Sequence, residues 1–307
     1  MKLFLSLLIA IFALSPILSQ KKADAPKSKI INAGVLLKDL ETLSADDMQG
    51  RGIGAAGGIK GREYVAKRFT ESGIKSFNNS LVQPFDFTTR AGEKFKGANV
   101  VGYVEGKKIK DKYIVVSAHY DHDGIKNGEI YNGTDDNASG TAALFALAQH
   151  FKKNKPLHTI IFAAFDGEES GLRGSRKFVE SPPVAKEKIV MNINLDMISR
   201  NDKNELYASG TYHHPQFKPL LERIAKSSKI KLLLGHDDPK LGRDDWTNQS
   251  DHGAFHAARI PFIYFGVEDH KDYHQPTDDF ANINQEFYVR AVETILDAVK
   301  GFDKELK

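Results

Sequence analysis

Residues 113–122 read Tyr-Ile-Val-Val-Ser-Ala-His-Tyr-Asp-His. The first six form a short, nearly continuous apolar run, the pattern of a strand buried on both faces and too short for a helix. Chemistry-bearing residues follow at once: His119, Asp121 and His122. The same grammar recurs along the chain. Thr159–Phe165 is followed by Asp166, Glu168 and Glu169; Ile189–Leu195 by Asp196; and Pro261–Gly266 by Glu268, Asp269, His270, Asp272 and His274. Working outward, strands are predicted over 81–87, 99–104, 113–118, 159–164, 189–195, 205–208, 230–234 and 262–265. Helices are predicted over about 58–72, 138–152, 171–180, 215–227 and 285–303. Alternation of buried strands with amphipathic helices implies one three-layer α/β/α domain on a central mixed, mostly parallel sheet. Such sheets gather ligands at the carboxyl ends of their strands.

Composition sets the outer limits. With 307 residues, 41% hydrophobic and 27% charged, the chain has enough apolar surface for a large core, which excludes wholesale disorder. The net charge of +3 carries no basic block in its body, so nucleic acid is not expected as a partner. There is no cysteine. Disulfides, thiolate zinc sites and thiol nucleophiles are therefore excluded, and any metal must be held by histidine and carboxylate.

The first residues, MKLFLSLLIAIFALSPILSQKK, pair Lys2 with an apolar run to Leu14 and a small residue at Ser19. This is the pattern of a secretory signal peptide over residues 1–19, with a short Lys-rich flexible lead-in over 20–30 and the main domain over 31–307. A secreted or periplasmic protein, with no membrane attachment after signal removal, is the expectation. Asn132 and Asn137 open N-x-S/T sequons beside Asp136, where a glycan would obstruct the neighbourhood.

The strand-end residues carry the chemical argument. Carboxylates and imidazoles are costly to bury unless paired or bound to a cation. Between them, 119–122, 133–140 (Gly-Thr-Asp-Asp-Asn-Ala-Ser-Gly), 166–169, Asp196 and 268–274 bring many acids to a few histidines. Imidazole nitrogen and carboxylate oxygen are what zinc accepts when thiolate is absent. A pair of metals needs a shared carboxylate, and tandem acids such as Glu168-Glu169 suit a division between ligand and base. Residue chemistry alone does not separate Asp135 from Asp136, or Glu168 from Glu169.

The strings SAHYDH, GTDDNASG, FDGEESGLRGS, NLDM, SDH and YHQPTDD, in that order from Ser117 to Asp279, resemble the M28 family of co-catalytic zinc aminopeptidases. The resemblance implies a zinc exopeptidase-like fold and two zinc ions. His119 and Asp196 would serve one metal, Glu169 and His274 the other, and Asp136 would bridge them, with a cis bond between Asp135 and Asp136. Glu168 would be the general base, and Asp121 a carboxylate orienting His119. The implied function is an exported aminopeptidase taking peptides with a free N-terminus, through a hydroxide bridging the metals. A glutaminyl cyclase-like aminoacyltransferase on the same fold is the alternative, and a non-catalytic binding module a more distant one.

Several residues near these motifs read as decoys. His122 and His270 are expected to be solvated loop residues, and His213-His214 a surface pair before Pro215. His252 is open between a supporting role and none, as is Trp246 between a pocket wall and a loop aromatic. Gly52–Gly57 spells GxGxxG but follows a polar, turn-like stretch rather than an apolar strand, so it reads as a flexible loop leading into a helix. GxSxG and HExxH are both absent.

Overall fold

The computed structural model describes residues 26–88 and 92–306. The predicted signal segment, 1–19, and the first part of the lead-in lie outside them. The strands are β1 (Lys75–Ser76), β2 (Val82–Thr88), β3 (Lys94–Val104), β4 (Ile109–His119), β5 (Gly124–Lys126), β6 (Glu129–Tyr131), β7 (His158–Phe165), β8 (Ile189–Leu195), β9 (Glu205–Ser209), β10 (Lys231–Leu234) and β11 (Phe262–Gly266). The helices are α1 (Ala33–Leu43), α2 (Ala56–Glu71), α3 (Gly140–Lys153), α4 (Arg173–Glu180), α5 (Lys218–Ser227), α6 (His252–Ala257) and α7 (Gln285–Glu305). All eight predicted strands and five predicted helices are present. The β5–β6 hairpin, the two-residue β1, and helices α1 and α6 were not predicted; all but α1 are too short to show a period.

The large sheet runs β1-β3-β7-β4-β8-β11-β9-β10, with β2 on β3. Its four central strands, β7, β4, β8 and β11, are parallel, while β3 joins β7 and β9 joins β11 antiparallel. Every residue of β7 is buried, as its unbroken apolar sequence requires of a strand covered on both faces. Alternate residues go to opposite layers. Ile160, Phe162 and Ala164 pack with α1, α2, α3, α5 and α7, whereas Ile161, Ala163 and Phe165 pack with α4 and α6. A fully buried side chain such as Phe162 contributes about 1.5–3 kcal/mol.

Two flexible segments of the sequence reading are tied down. In the lead-in, the Lys27 carbonyl accepts from Arg290 of α7, and Ser28 Oγ accepts from the amides of Ile30 and Ile31. The glycine-rich stretch follows a 3-10 segment, Asp46–Arg51, and its last glycine serves close approach: a Cβ at Gly57 would lie 2.4 Å from the Met48 carbonyl.

Candidate metal centre

Register builds the first half of the site. Parallel pairing of β4 and β8 sets Ser117 against Asn194, so the residues two further along, His119 and Asp196, emerge side by side. His119 Nε2 lies 3.3 Å from Asp196 Oδ1 and 3.4 Å from Asp136 Oδ1. The second half comes from longer loops. His274 Nε2 lies 3.1 Å from Asp136 Oδ2 and 3.5 Å from Glu169 Oε2. The Asp136 carboxylate therefore divides its two oxygens between two His–acid groups. His119, Asp136 and Asp196 stand close enough together to hold one metal ion, and at the other end Asp123, Glu169 and His274, or His122, Asp136 and Glu169, do the same.

The donor set fits a cation better than it fits itself. One imidazole N–H cannot satisfy two carboxylates, yet His119 Nε2 faces two. Burial opposes charge on His119, but Asp196 and Glu168 outweigh it and raise its pKa well above the usual value. Burial likewise works against ionisation of Asp136, and bonds from His119 and His274 overcome it, holding the carboxyl well below its range. Burial pushes Asp121, Glu168 and Asp196 upward, with neighbouring acids adding to it. His274 rises to about 9, first through its bond to Asp136. Protons here balance a surplus of negative charge that divalent cations would balance at neutral pH.

Asp136 is presented by its neighbours. Both oxygens of Asp278 accept from the Asp135 amide, and Oδ2 also from the Asp136 amide, each at 3.0 Å. The adjacent Asp135 faces the other way, accepting from the Ser199 amide and hydroxyl and from His270. The cis bond lies between Asp136 and Asn137, one bond later than the family pattern implied. Asn132 and Asn137 are buried, so neither sequon is open on the folded chain.

Other expectations change with the geometry. Asp121 orients His119 through its main-chain carbonyl, which accepts from Nδ1 at 3.1 Å; its carboxylate stands 3.8 Å from that nitrogen and instead accepts from the Glu168 amide. His122 is not solvated but buried, with Nδ1 2.7 Å from Glu169 Oε1. His270 is largely buried against Asp135 rather than free in solvent. His213 and His214 are half-buried, packed on Phe262.

Arg51 escaped the sequence reading because a lone arginine in a polar turn has no pattern. It is fully buried, and its guanidinium donates to the carbonyls of Leu43, Tyr120, Asn132 and Gly133 at 2.6–2.9 Å. It thereby ties together the loops that carry His122 and Asp136. Burial lowers its pKa to about 10, with Asp121 and Asp278 opposing.

Beside the acids lies a cleft of about 350 Å³ whose wall includes Leu172, Met197, Trp246, Tyr264, Val267 and Tyr273. Trp246 is thus a cleft residue. Its loop is held by histidines: His236 stacks on the indole at 3.7 Å, His252 Nε2 donates to the Trp246 carbonyl at 2.8 Å, and His213 Nε2 lies 3.0 Å from Thr247 Oγ1. His252 acts on the cleft through that loop.

A model of peptidase family M28 matches residues 99–299. The chain belongs to peptidase family M28. Its relatives include a probable zinc metalloprotease of Pyrenophora tritici-repentis, 27% identical over 95% of this chain and 72% of that protein. Against two further fungal proteins so described, the chain spans 57% and 64% of their length. In fold, a zinc aminopeptidase from Bacillus subtilis matches with a TM-score of 0.73 at 18% identity, covering 92% of this chain and 98% of that one. A glutaminyl cyclase of Porphyromonas gingivalis matches with a TM-score of 0.71 at 17% identity, covering 89% and 99%. The expected metallopeptidase class and three-layer fold are met, and zinc is the metal of the M28 relatives. Among the described residues no helix is long and apolar enough to cross a membrane.

Proposed function

We propose that the chain is a two-zinc aminopeptidase that removes N-terminal residues from peptides. The observation that carries this reading is the divided carboxylate of Asp136, Oδ1 toward His119 and Oδ2 toward His274. His119, Asp196 and Asp136 would hold one ion, and Glu169, His274 and Asp136 the other. Zinc held there supplies Lewis acidity toward the scissile carbonyl and lowers the pKa of attacking water. Glu168 takes the proton from that water and returns it to the leaving amine. Its backbone is fixed by the Asp121 carboxylate, and its half-buried, proton-seeking side chain faces the same space as His119 and Glu169. The acids surrounding that space would receive the substrate's free ammonium, and the apolar wall of the cleft its first side chain.

The test is mass spectrometry of matched peptides, with free or acetylated N-termini and some beginning with Gln, incubated with the protein with and without chelator. Stepwise loss of residues from free peptides only, abolished by chelation, is expected. Ammonia loss from Gln-starting peptides without shortening would assign the cyclase reaction instead, and cleavage of acetylated peptides would end the exopeptidase reading. In the same assay, Glu168→Gln should keep its zinc and lose about 10²–10⁴ in turnover. Near-normal turnover would remove Glu168 from the base role.

A further inference from the structure

His122 sits where neither the family's motif nor its own sequence surroundings assigned it a task. Its ring is buried, packed edge-on against His274 with centroids 5.6 Å apart. The backbone makes room for it: a Cβ at Gly133, whose φ is +54°, would fall 2.4 Å from ring carbons Cγ and Cδ2. Such a seat makes the ring's position a property of the fold rather than of a loop side chain. From that seat Nδ1 reaches Glu169 Oε1 at 2.7 Å and stands 3.8 Å from Asp136 Oδ2. Nε2 is buried with no hydrogen-bond partner among the described residues, so Nδ1 makes the ring's polar contact.

The two oxygens of Glu169 are thereby distinguished. Oε1 accepts from His122, while Oε2 faces His274 Nε2 at 3.5 Å. A carboxylate with both oxygens free can rotate or chelate a metal through both. With hydrogen on Nδ1, the His122 ring occupies one oxygen and leaves the other as a single, directed donor. Donors that orient a metal-binding group in this way typically change metal affinity by about 10–100-fold when removed.

We propose that His122 is a positioning residue for the zinc served by Glu169 and His274, holding Glu169 so that only Oε2 is presented to the metal. The inference rests on the two-zinc reading above. It is distinct from direct ligation by His122, in which Nδ1 would leave Glu169 for the metal.

The experiment is a calorimetric zinc titration, against a competing chelator, of the full metal-freed chain and two variants, His122→Ala and His122→Asn. An asparagine side-chain amide places a donor close to where Nδ1 stands. The wild type should take up two zinc ions. His122→Ala should weaken one of the two sites by about 10–100-fold and leave the other unchanged. His122→Asn should recover most of the loss. Unchanged binding in His122→Ala overturns the proposal. So does equal weakening of both sites together with a lost circular dichroism signal, which would mark His122 as a packing residue. Failure of His122→Asn to improve on His122→Ala overturns the donor role and points to direct ligation. A wild type that binds fewer than two zinc ions overturns the two-zinc reading, and this is seen before any variant is compared.

Discussion

Arg51 shows how much of the site depends on one side chain outside it. Four main-chain carbonyls from three separate segments converge on its guanidinium. Substituting an apolar residue leaves those carbonyls buried without donors, at a cost comparable to breaking a buried charged network. Arg51→Met is expected to lower unfolding free energy by about 3–5 kcal/mol, with Arg51→Lys intermediate because an ammonium lacks the planar fork. Urea denaturation checks this; a loss below about 1 kcal/mol would mean that other donors reach the carbonyls. The paired acids teach a related lesson. Asp135 and Asp136 are adjacent and chemically identical, and only their partners differ: Ser199 and His270 for the first, His119 and His274 for the second.

Among the elements, strands were legible because their burial is written in unbroken apolar runs, and β8 was predicted with its observed bounds, Ile189–Leu195. The loop carrying Trp246 was not, since its order comes from contacts made by His213, His236 and His252, which lie in other segments or at its start. Burial holds the His252 imidazole down at about 3. Its folded pKa lies below the unfolded value of about 6.5, so below that pH the unfolded chain takes the proton first. Stability is therefore full above about 6.5 and falls as pH drops toward 3, by about 1.4 kcal/mol per unit from this one group. His252→Gln keeps a donor for the Trp246 carbonyl and does not titrate. Its urea midpoints at pH 7 and pH 5 should differ less than those of the wild type, by about 2 kcal/mol in unfolding free energy. Parallel pH profiles would remove His252 as the cause.

The whole molecule concentrates its cost at the strand ends. Without a cation, burial raises Asp121, Glu168 and Asp196, so the folded chain retains protons that the unfolded chain releases. Those groups make stability fall as pH rises above their unfolded values near 4, opposed in sign by Asp136. Zinc bound only by the folded chain removes this repulsion, and each ion at about 100 times its dissociation constant adds about 2.7 kcal/mol. Thermal melting at pH 7.5 should show a lower transition with chelator and a rise of several degrees on adding zinc; superimposable curves would count against a metal centre.

What the sequence determined was the longer strands, most of the helices and the chemistry available: alternating strands and helices, polar residues waiting at strand ends, and histidine and carboxylate as the metal donors in a chain without cysteine. These are local properties, carried by periodicity and residue type. Tertiary structure decided which of two neighbouring acids faces the site, that His122 is buried against Glu169 rather than solvated, that His270 holds Asp135, and that Arg51 joins loops about 80 residues apart in sequence. Each of these depends on which distant backbone or side chain arrives alongside, and no local pattern encodes that.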